Sequence, residues 1–262
     1  MNLVLNKRQK IIISSALLTI GLLSTQLVDF NLRFRFLGGL AVLAYSLSLW
    51  SLWDGLNVIK ALILMILPTF FTVAVASFYF LLPIRWLTRL PVAFIFGLTF
   101  YLLLLAQNVF NVASIRTIPL YRAASTAGFL FTLLAAFCLY HVTFAFNLLF
   151  LWNGVVVFLI SFPLILQVLW SIQMEDKIKT VTLVQSFVLS LILGELALGF
   201  SFWPFSKTSV MWALSLSSAM YVLLGLITEG LRGRLNKRLV WEYVGIGVIV
   251  LLVGFFTTPW SG

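Results

Sequence analysis

The 262-residue sequence contains few of the residues that usually carry metal or nucleophilic chemistry. It has one cysteine, Cys138, and one histidine, His141. A single cysteine excludes an intramolecular disulfide and a cysteine-based zinc site, and a single histidine excludes a histidine cluster. Only seven acidic residues remain as metal ligands or acid–base groups. We therefore expect no metal site, no cofactor and no catalytic residue set, and the sequence favours a protein that is not an enzyme.

Charged residues are also scarce, at 9% of the chain against 62% hydrophobic residues. A soluble domain carries about 25% charged residues. A water-soluble fold would lack the polar residues to cover its surface, whereas lipid solvates an apolar exterior. The composition therefore predicts an integral membrane protein.

Nine continuous apolar stretches follow one another along the chain, each close to the ~20 residues that a helical span requires. Lipid offers no partners to backbone N–H and C=O groups, which favours helices, and the alternating strands of a barrel would be about half as long. We predict an all-α, polytopic transmembrane helical bundle of about nine spans, with eight possible. It forms a single integral membrane domain over residues 1–262, without a soluble domain. The predicted spans are 11–28, 36–53, 61–82, 91–110, 123–142, 148–172, 180–202, 210–228 and 241–258.

The basic residues fall unequally on the two sides of these spans. Loops rich in lysine and arginine stay in the cytoplasm, so we predict a cell-membrane protein with a cytoplasmic N-terminus and its C-terminus outside. Orientation and contact with lipid headgroups account for the net charge of +10, so we expect membrane lipids, and no nucleic acid, as partners. The cytoplasmic set is Lys7, Arg8, Lys10, Lys60, Arg116, Arg122, Lys177, Lys179, Arg232, Arg234, Lys237 and Arg238, and the outer set is Arg33, Arg35, Arg85, Arg89 and Lys207.

Glu195 is the one acidic residue well inside a predicted span. A charged carboxylate that faces lipid costs a few kcal/mol, so we expect Glu195 to face the bundle, to be neutral or to be paired. An acid of this kind suits proton carriage. A carboxyl group that joins two helices is an equally good interpretation.

Three further polar residues, His141, Asn147 and Asn153, lie near the same outer membrane boundary. If the fifth, sixth and seventh spans are neighbours, these residues and Glu195 form an outward-facing polar cavity. The alternative is that each side chain is hydrogen-bonded locally at the interface.

Four arginines, Arg33, Arg35, Arg85 and Arg89, lie on the outer side, where the charge rule disfavours them. Guanidinium groups bind phosphate or carboxylate with two hydrogen bonds. We interpret these arginines as candidate contacts for an anion or a lipid headgroup. Prolines 83 and 91 bracket a short amphipathic segment that carries Arg85 and Arg89. The favoured explanation is ordinary contact with phospholipid, or pairing with Asp29.

The most polar connection on the cytoplasmic side contains Asn108, Asn111, Arg116 and Arg122. Asn108 and Asn111 share a helical face. The segment is a candidate gate or binding loop, and a plain cytoplasmic turn with orientation charges is the favoured alternative.

No motif in the sequence identifies a reaction, so three functions stay open. The first is a transporter or permease of a small or anionic solute, proton-linked through Glu195. The second is a non-catalytic membrane subunit or assembly scaffold, with a membrane-protein partner or a second copy. The third is a membrane-embedded enzyme that modifies lipids. We favour the first.

Overall fold

The computed structural model describes residues 6–25, 32–82, 86–113, 120–174, 177–203 and 210–257. Within these ranges the chain is helical and contains no strand. The predicted all-α bundle is therefore confirmed. The helices are α1 (Lys7–Ser24), α2 (Arg33–Leu52), α3 (Val58–Leu64), α4 (Ile66–Leu81), α5 (Trp86–Ala113), α6 (Tyr121–Ala145), α7 (Phe150–Gln173), α8 (Thr180–Ser201), α9 (Val210–Leu231) and α10 (Lys237–Thr257).

Eight helical segments are long and apolar enough to cross a membrane, with α3 and α4 counted as one segment over Val58–Leu81. The protein is thus a multi-pass membrane protein. The remaining long helix of the described chain is α1, whose first turn carries Lys7, Arg8 and Lys10. Each of the nine predicted stretches corresponds to one of these nine segments.

Proline explains the break between α3 and α4. A proline lacks the N–H that bonds to the carbonyl four residues earlier, which for Pro68 is the carbonyl of Leu64. The first helix ends at Leu64, and Met65 stands between the two helices. Pro91 has a milder effect, because it lies within the first two turns of α5 and the helix continues through it. The sequence predicted a short amphipathic segment between Pro83 and Pro91. From Trp86 onward, this segment is the start of α5.

Contacts between residues divide the chain into two compact units, with the boundary inside α6 after Ala135. The first unit contains α1 to α5 and the first part of α6. The second contains the rest of α6 and α7 to α10.

In the second unit, α7 and α8 pack most closely, and two glycines explain why. A Cβ atom added to Gly154 would lie 3.0 Å from the carbonyl oxygen of Gly194, and one added to Gly194 would lie 3.0 Å from the carbonyl oxygen of Gly154. Only glycine permits the two backbones to approach this closely. The contact fixes the register of α7 on α8 and so aligns Asn153 with the end of α8.

Candidate functional site

A cavity of about 320 Å³ lies in the second unit, at one end of its helices. Ligand pockets start at about this volume. The end of α6, the turn that follows it, the start of α7, the end of α8 and the start of α9 build the walls. The polar lining residues are Asn147, Asn153 and Ser201, and the apolar ones are Phe144, Leu148, Leu149, Phe150, Phe202 and Trp212.

Asn153 is the best-defined polar group of the cavity. Its side chain is only 6% exposed, and its Nδ2 donates a hydrogen bond to Ser201 Oγ at 3.0 Å. The hydroxyl of Ser201 itself donates to the carbonyl oxygen of Ala197 at 2.8 Å. Because the only hydroxyl proton of Ser201 is used in this way, its oxygen can only accept from Asn153.

The orientation of the Asn153 carboxamide follows from this bond. The nitrogen must face Ser201, although nitrogen and oxygen are often hard to distinguish by shape alone. Asn153 Oδ1 is buried and has no hydrogen-bond partner in the described part of the chain. A buried carbonyl oxygen without a partner costs about 1–3 kcal/mol. Asn153 therefore lines the cavity with a carboxamide whose oxygen is buried and whose nitrogen is held by Ser201.

Two aromatic pairs form much of the remaining wall. Phe144 and Trp212 are buried and stack with their ring centroids 4.8 Å apart. Phe150 and Phe202 lie 5.0 Å apart and are 41% and 72% exposed. The first pair is buried, and the second pair is exposed.

Asn147 has a structural role as well as a place in the lining. Its φ of 50° lies in the left-handed region, which asparagine tolerates better than other residues with a side chain. Its backbone N–H donates to the carbonyl oxygen of Phe144 at 3.2 Å. Asn147 thereby ends α6 in the manner usual for glycine or asparagine.

His141 and Glu195 were expected at the same cavity, and neither is among its lining residues. His141 stacks on Phe137, with the ring centroids 6.5 Å apart. Glu195 lies on the exposed face of α8, whereas Leu193, Gly194 and Ala197 are buried. Of the three alternatives expected for Glu195, the position that faces the bundle differs from the structure, and a neutral or a paired carboxyl group stays a prediction. The reason for the difference is the packing of α7, which takes the face of α8 that carries Gly194.

The outer arginines separate into different environments in the first unit. The guanidinium carbon of Arg33 lies 5.4 Å from the ring centroid of Phe80, and that of Arg89 lies 5.2 Å from the ring centroid of Tyr79. Phe80 and Tyr79 are neighbours at the end of α4, so α4 brings these two arginines close to its own C-terminus. Arg35 is exposed, and Arg85 lies outside the described residues.

Arg89 has a structural explanation. It is buried, and its Nη2 donates to the carbonyl oxygen of Leu82 at 3.2 Å, just beyond the last residue of α4. A cation stabilises the partial negative charge at a helix C-terminus. Its role as an anion contact stays a prediction.

The candidate inner loop is anchored in the first unit by Asn111. This buried side chain donates from Nδ2 to the carbonyl oxygens of Leu52 at 3.2 Å and Asp54 at 3.0 Å. It therefore satisfies backbone groups where α2 ends. Asn108 is partly exposed, Arg122 is exposed, and Arg116 lies outside the described residues.

A family model described as "Protein of unknown function (DUF5656)" matches residues 39–257, which is most of the chain. The chain belongs to the DUF5656 family. The match begins inside α2, so it includes every residue of the cavity, whereas α1, Arg33 and Arg35 precede it.

Neither the curated proteins nor the solved structures give a match to this DUF5656 chain. Its function is therefore argued from its own residues. Among the described residues, no group of three or more histidine, cysteine or acidic side chains could hold a metal ion. The cavity is one described site where polar side chains from different helices meet an open volume.

Sequence reasoning missed three residues that matter in this DUF5656 chain. Ser201 and Trp212 line the cavity only because α8 and α9 lie beside α7, and no pattern in the sequence specifies that adjacency. Gln107 on α5 is fully buried, and neither its Nε2 nor its Oε1 has a hydrogen-bond partner among the described residues. A lone glutamine in an apolar stretch is the signal that could have indicated it.

Proposed function

We propose that this DUF5656 protein is a membrane permease that binds a small solute in the cavity of its second unit. The observation that carries the proposal is a cavity of about 320 Å³ that Asn153 and Ser201, from two different helices, line together with two aromatic pairs. The aromatic lining supports the same conclusion, because solute sites are mostly apolar with a few placed polar groups.

Glu195 has no part in this proposal. Its exposed position on α8 separates it from the cavity lining, so the geometry gives no reason to couple solute binding to a proton on this residue. The expected solute uptake is independent of Glu195.

Uptake into proteoliposomes tests the proposal with three labelled probes: ethanolamine as a cation, glycerol as a neutral solute and lactate as an anion. We expect protein-dependent uptake of at least one probe. Asn153→Leu should reduce it at least fivefold, because the variant removes a polar group of the lining and the bond to Ser201. Asn57→Leu is the matched control, since it makes the same change at an exposed position of the first unit and should leave uptake unchanged.

Two results would contradict the permease proposal. One is uptake of no probe by protein that is folded and correctly inserted. The other is an equal loss of uptake in both asparagine variants, which would indicate general damage to the bundle.

The second candidate function is a non-catalytic subunit of a membrane assembly. The exposed carboxyl group of Glu195 supports it, because an acid at membrane depth is stabilised when another helix covers it. Absence of uptake, together with elution of the chain alongside a second membrane protein in mild detergent, would favour this candidate over the permease.

A further inference from the structure

We infer that the exposed face of α8 around Glu195 binds a transmembrane helix of another protein, and that this helix carries an arginine or a lysine at the depth of Glu195. The inference rests on the second candidate function, not on the permease, and specifies the chemistry of the partner. Three features carry it: a carboxyl group at membrane depth, the lack of a matching cation on α8 itself, and an open surface beside the carboxyl group.

Glu195 lies far from both ends of α8. It stands 15 residues after Thr180 and six residues before Ser201, which is about 22 Å and about 9 Å at 1.5 Å per residue. The 22 residues of α8 extend about 33 Å, close to the thickness of the hydrocarbon layer. The carboxyl group of Glu195 therefore lies within that layer, where an unpaired charge is costly.

The two other glutamates of the second unit have partners within their own chain. Glu229 accepts a hydrogen bond from Arg232, and Glu242 accepts one from Arg238, each at 3.0 Å. Glu195 is exposed and has no hydrogen bond or ion pair with any described residue. An acid inside a membrane usually pairs with another polar group, so we expect the partner of Glu195 on another molecule.

A second copy of α8 does not supply the opposite charge. The helix contains no lysine or arginine, and every lysine or arginine of the other described helices lies within the first four residues of its helix. In a symmetric contact the same face of both copies meets, so two α8 helices would bring two Glu195 carboxyl groups together. A cation on a different helix is the complementary partner, because hydrogen-bonded pairs of opposite charge are the strong ones.

The surface around Glu195 can receive such a helix. Val184, Val188, Leu191, Glu195 and Gly199 are exposed and follow one another at spacings of three or four residues, so they share one face of α8. A Cβ atom added to Gly199 would meet nothing within 4 Å. Gly199 thus leaves open space one turn beyond Glu195, and small residues let two transmembrane helices approach closely.

An apolar groove of about 240 Å³ adjoins this face, between α8, α9 and α10. Its lining includes Ile192 and Leu196, three residues before and one residue after Glu195. At about 100° per residue, Ile192 projects about 60° away from Glu195, so a helix seated over Glu195 also reaches the edge of the groove. These apolar neighbours would keep water from the ion pair, which strengthens it.

Synthetic transmembrane peptides test this inference. Leucine–alanine helices as long as α8 carry one arginine, glutamate or leucine six residues from one end, a depth that one of their two orientations matches to Glu195. Energy transfer from the nine tryptophans of the full chain to a dansyl group on the peptide measures binding in liposomes. We expect the arginine peptide to bind at least tenfold more tightly than the leucine peptide, as for one hydrogen bond between charged groups.

Three variants separate charge from general damage. Glu195→Gln keeps the shape and removes the charge, so the preference for the arginine peptide should fall below threefold. Glu242→Gln is the matched control, because it removes a carboxyl group that already pairs with Arg238, and it should leave the preference unchanged. Glu195→Arg should prefer the glutamate peptide to the arginine peptide, a reversal that a damaged fold would not produce.

A further variant leaves the acid in place. In Gly199→Leu the new side chain enters open space on the chain's own surface, so the variant should fold normally. It should weaken binding of the arginine peptide at least threefold, because it holds the partner helix away from α8.

Three results would overturn the inference. The first is equal binding of the arginine and leucine peptides by the parent chain, which would mean that Glu195 faces lipid as a neutral acid. The second is a preference that Glu195→Gln leaves unchanged. The third is self-association that Glu195→Gln abolishes, measured by single-molecule photobleaching in the same liposomes, which would assign the face to a second copy. If the arginine peptide is not preferred but the chain still elutes with a second membrane protein, the subunit function stands without the inference. Without that elution both fail.

Discussion

Polar side chains inside the bundle satisfy their hydrogen bonds in two different ways. Most hydroxyl groups bond within their own helix: Thr72 donates to the carbonyl oxygen of Pro68 at 2.9 Å, and Ser186 to that of Thr182 at 2.8 Å. Such a bond needs no partner helix. Carboxamides instead reach another segment, as Asn111 does at the end of α2 and Asn153 does at Ser201. The partners of buried asparagine side chains therefore show which segments of the chain lie side by side.

Gln107 departs from this rule, and its replacement should stabilise the protein. The buried carboxamide has no hydrogen-bond partner among the described residues, and an unsatisfied buried group of this kind costs about 1–3 kcal/mol. Gln107→Met keeps the shape and removes the polar atoms. We expect the free energy of unfolding in detergent to rise by about 1 kcal/mol, measured by thermal denaturation.

Asn111→Leu is the control for that measurement, because it is also a change from a polar to an apolar residue and lies one turn away on α5. It removes the two hydrogen bonds from Asn111 to the carbonyl oxygens of Leu52 and Asp54, so the free energy of unfolding should fall by about 1–3 kcal/mol. A loss of stability in Gln107→Met would mean that the carboxamide is hydrogen-bonded in the membrane.

The sequence could indicate single residues of the site but not their neighbours. Asn147 and Asn153 were identified because they lie near the same predicted membrane boundary. The face on which Glu195 lies could not be predicted, since that face depends on where α7 packs. The bond from Asn153 to Ser201 joins positions 48 residues apart, and only the folded chain brings them together.

The positions of the helices follow from the lengths of the apolar stretches, which can be read directly from the sequence. Apolar length located all nine segments, with ends that differ from the structure by a few residues. The break at Met65 could not be located from the sequence, because Pro68 shows which hydrogen bond is lost but not how far the backbone adjusts. The division into two units has no signal in the sequence, because apolar composition is similar throughout.

Replacing Gly154 should disturb the close contact of α7 with α8. A Cβ atom in Gly154→Ala would lie 2.6 Å from Cγ of Leu198 and 3.0 Å from the carbonyl oxygen of Gly194. Overpacking of this kind costs about 1–3 kcal/mol, so thermal denaturation should show lower stability. The displaced α8 would also move Ser201 away from Asn153, and solute uptake should fall.

Gly199→Ala is the matched control on α8. A Cβ atom there meets nothing within 4 Å, and alanine favours a helix over glycine by about 1 kcal/mol. Its stability should be equal to or greater than that of the parent. Equal effects of the two variants would show that Gly154 is not a close-packing position.

In the first unit, α1 runs beside α2 in the opposite direction. Lys7 Nζ donates to the carbonyl oxygen of Asp54 at 3.4 Å, and Ser14 Oγ donates to that of Leu47 at 3.3 Å. Further along, a Cβ atom on Gly21 would meet Leu40. At 1.5 Å per residue the 18 residues of α1 extend about 27 Å, close to the thickness of the hydrocarbon layer. The packing therefore supports α1 as a ninth crossing, although its first turn is basic.

The orientation of the whole molecule can be measured by thiol labelling, because the chain has only one cysteine, Cys138, and it is buried. In a Cys138→Ala background, Gln9→Cys, Leu149→Cys and Leu235→Cys place one thiol each at exposed positions. The excess of basic residues predicts that Gln9 and Leu235 are cytoplasmic and Leu149 is outside. A membrane-impermeant maleimide should then label only Leu149→Cys in intact cells, and all three after lysis. Labelling of Gln9→Cys together with Leu149→Cys would show that α1 does not cross. Labelling of Gln9→Cys and Leu235→Cys without Leu149→Cys would reverse the orientation and place the mouth of the cavity on the cytoplasmic side.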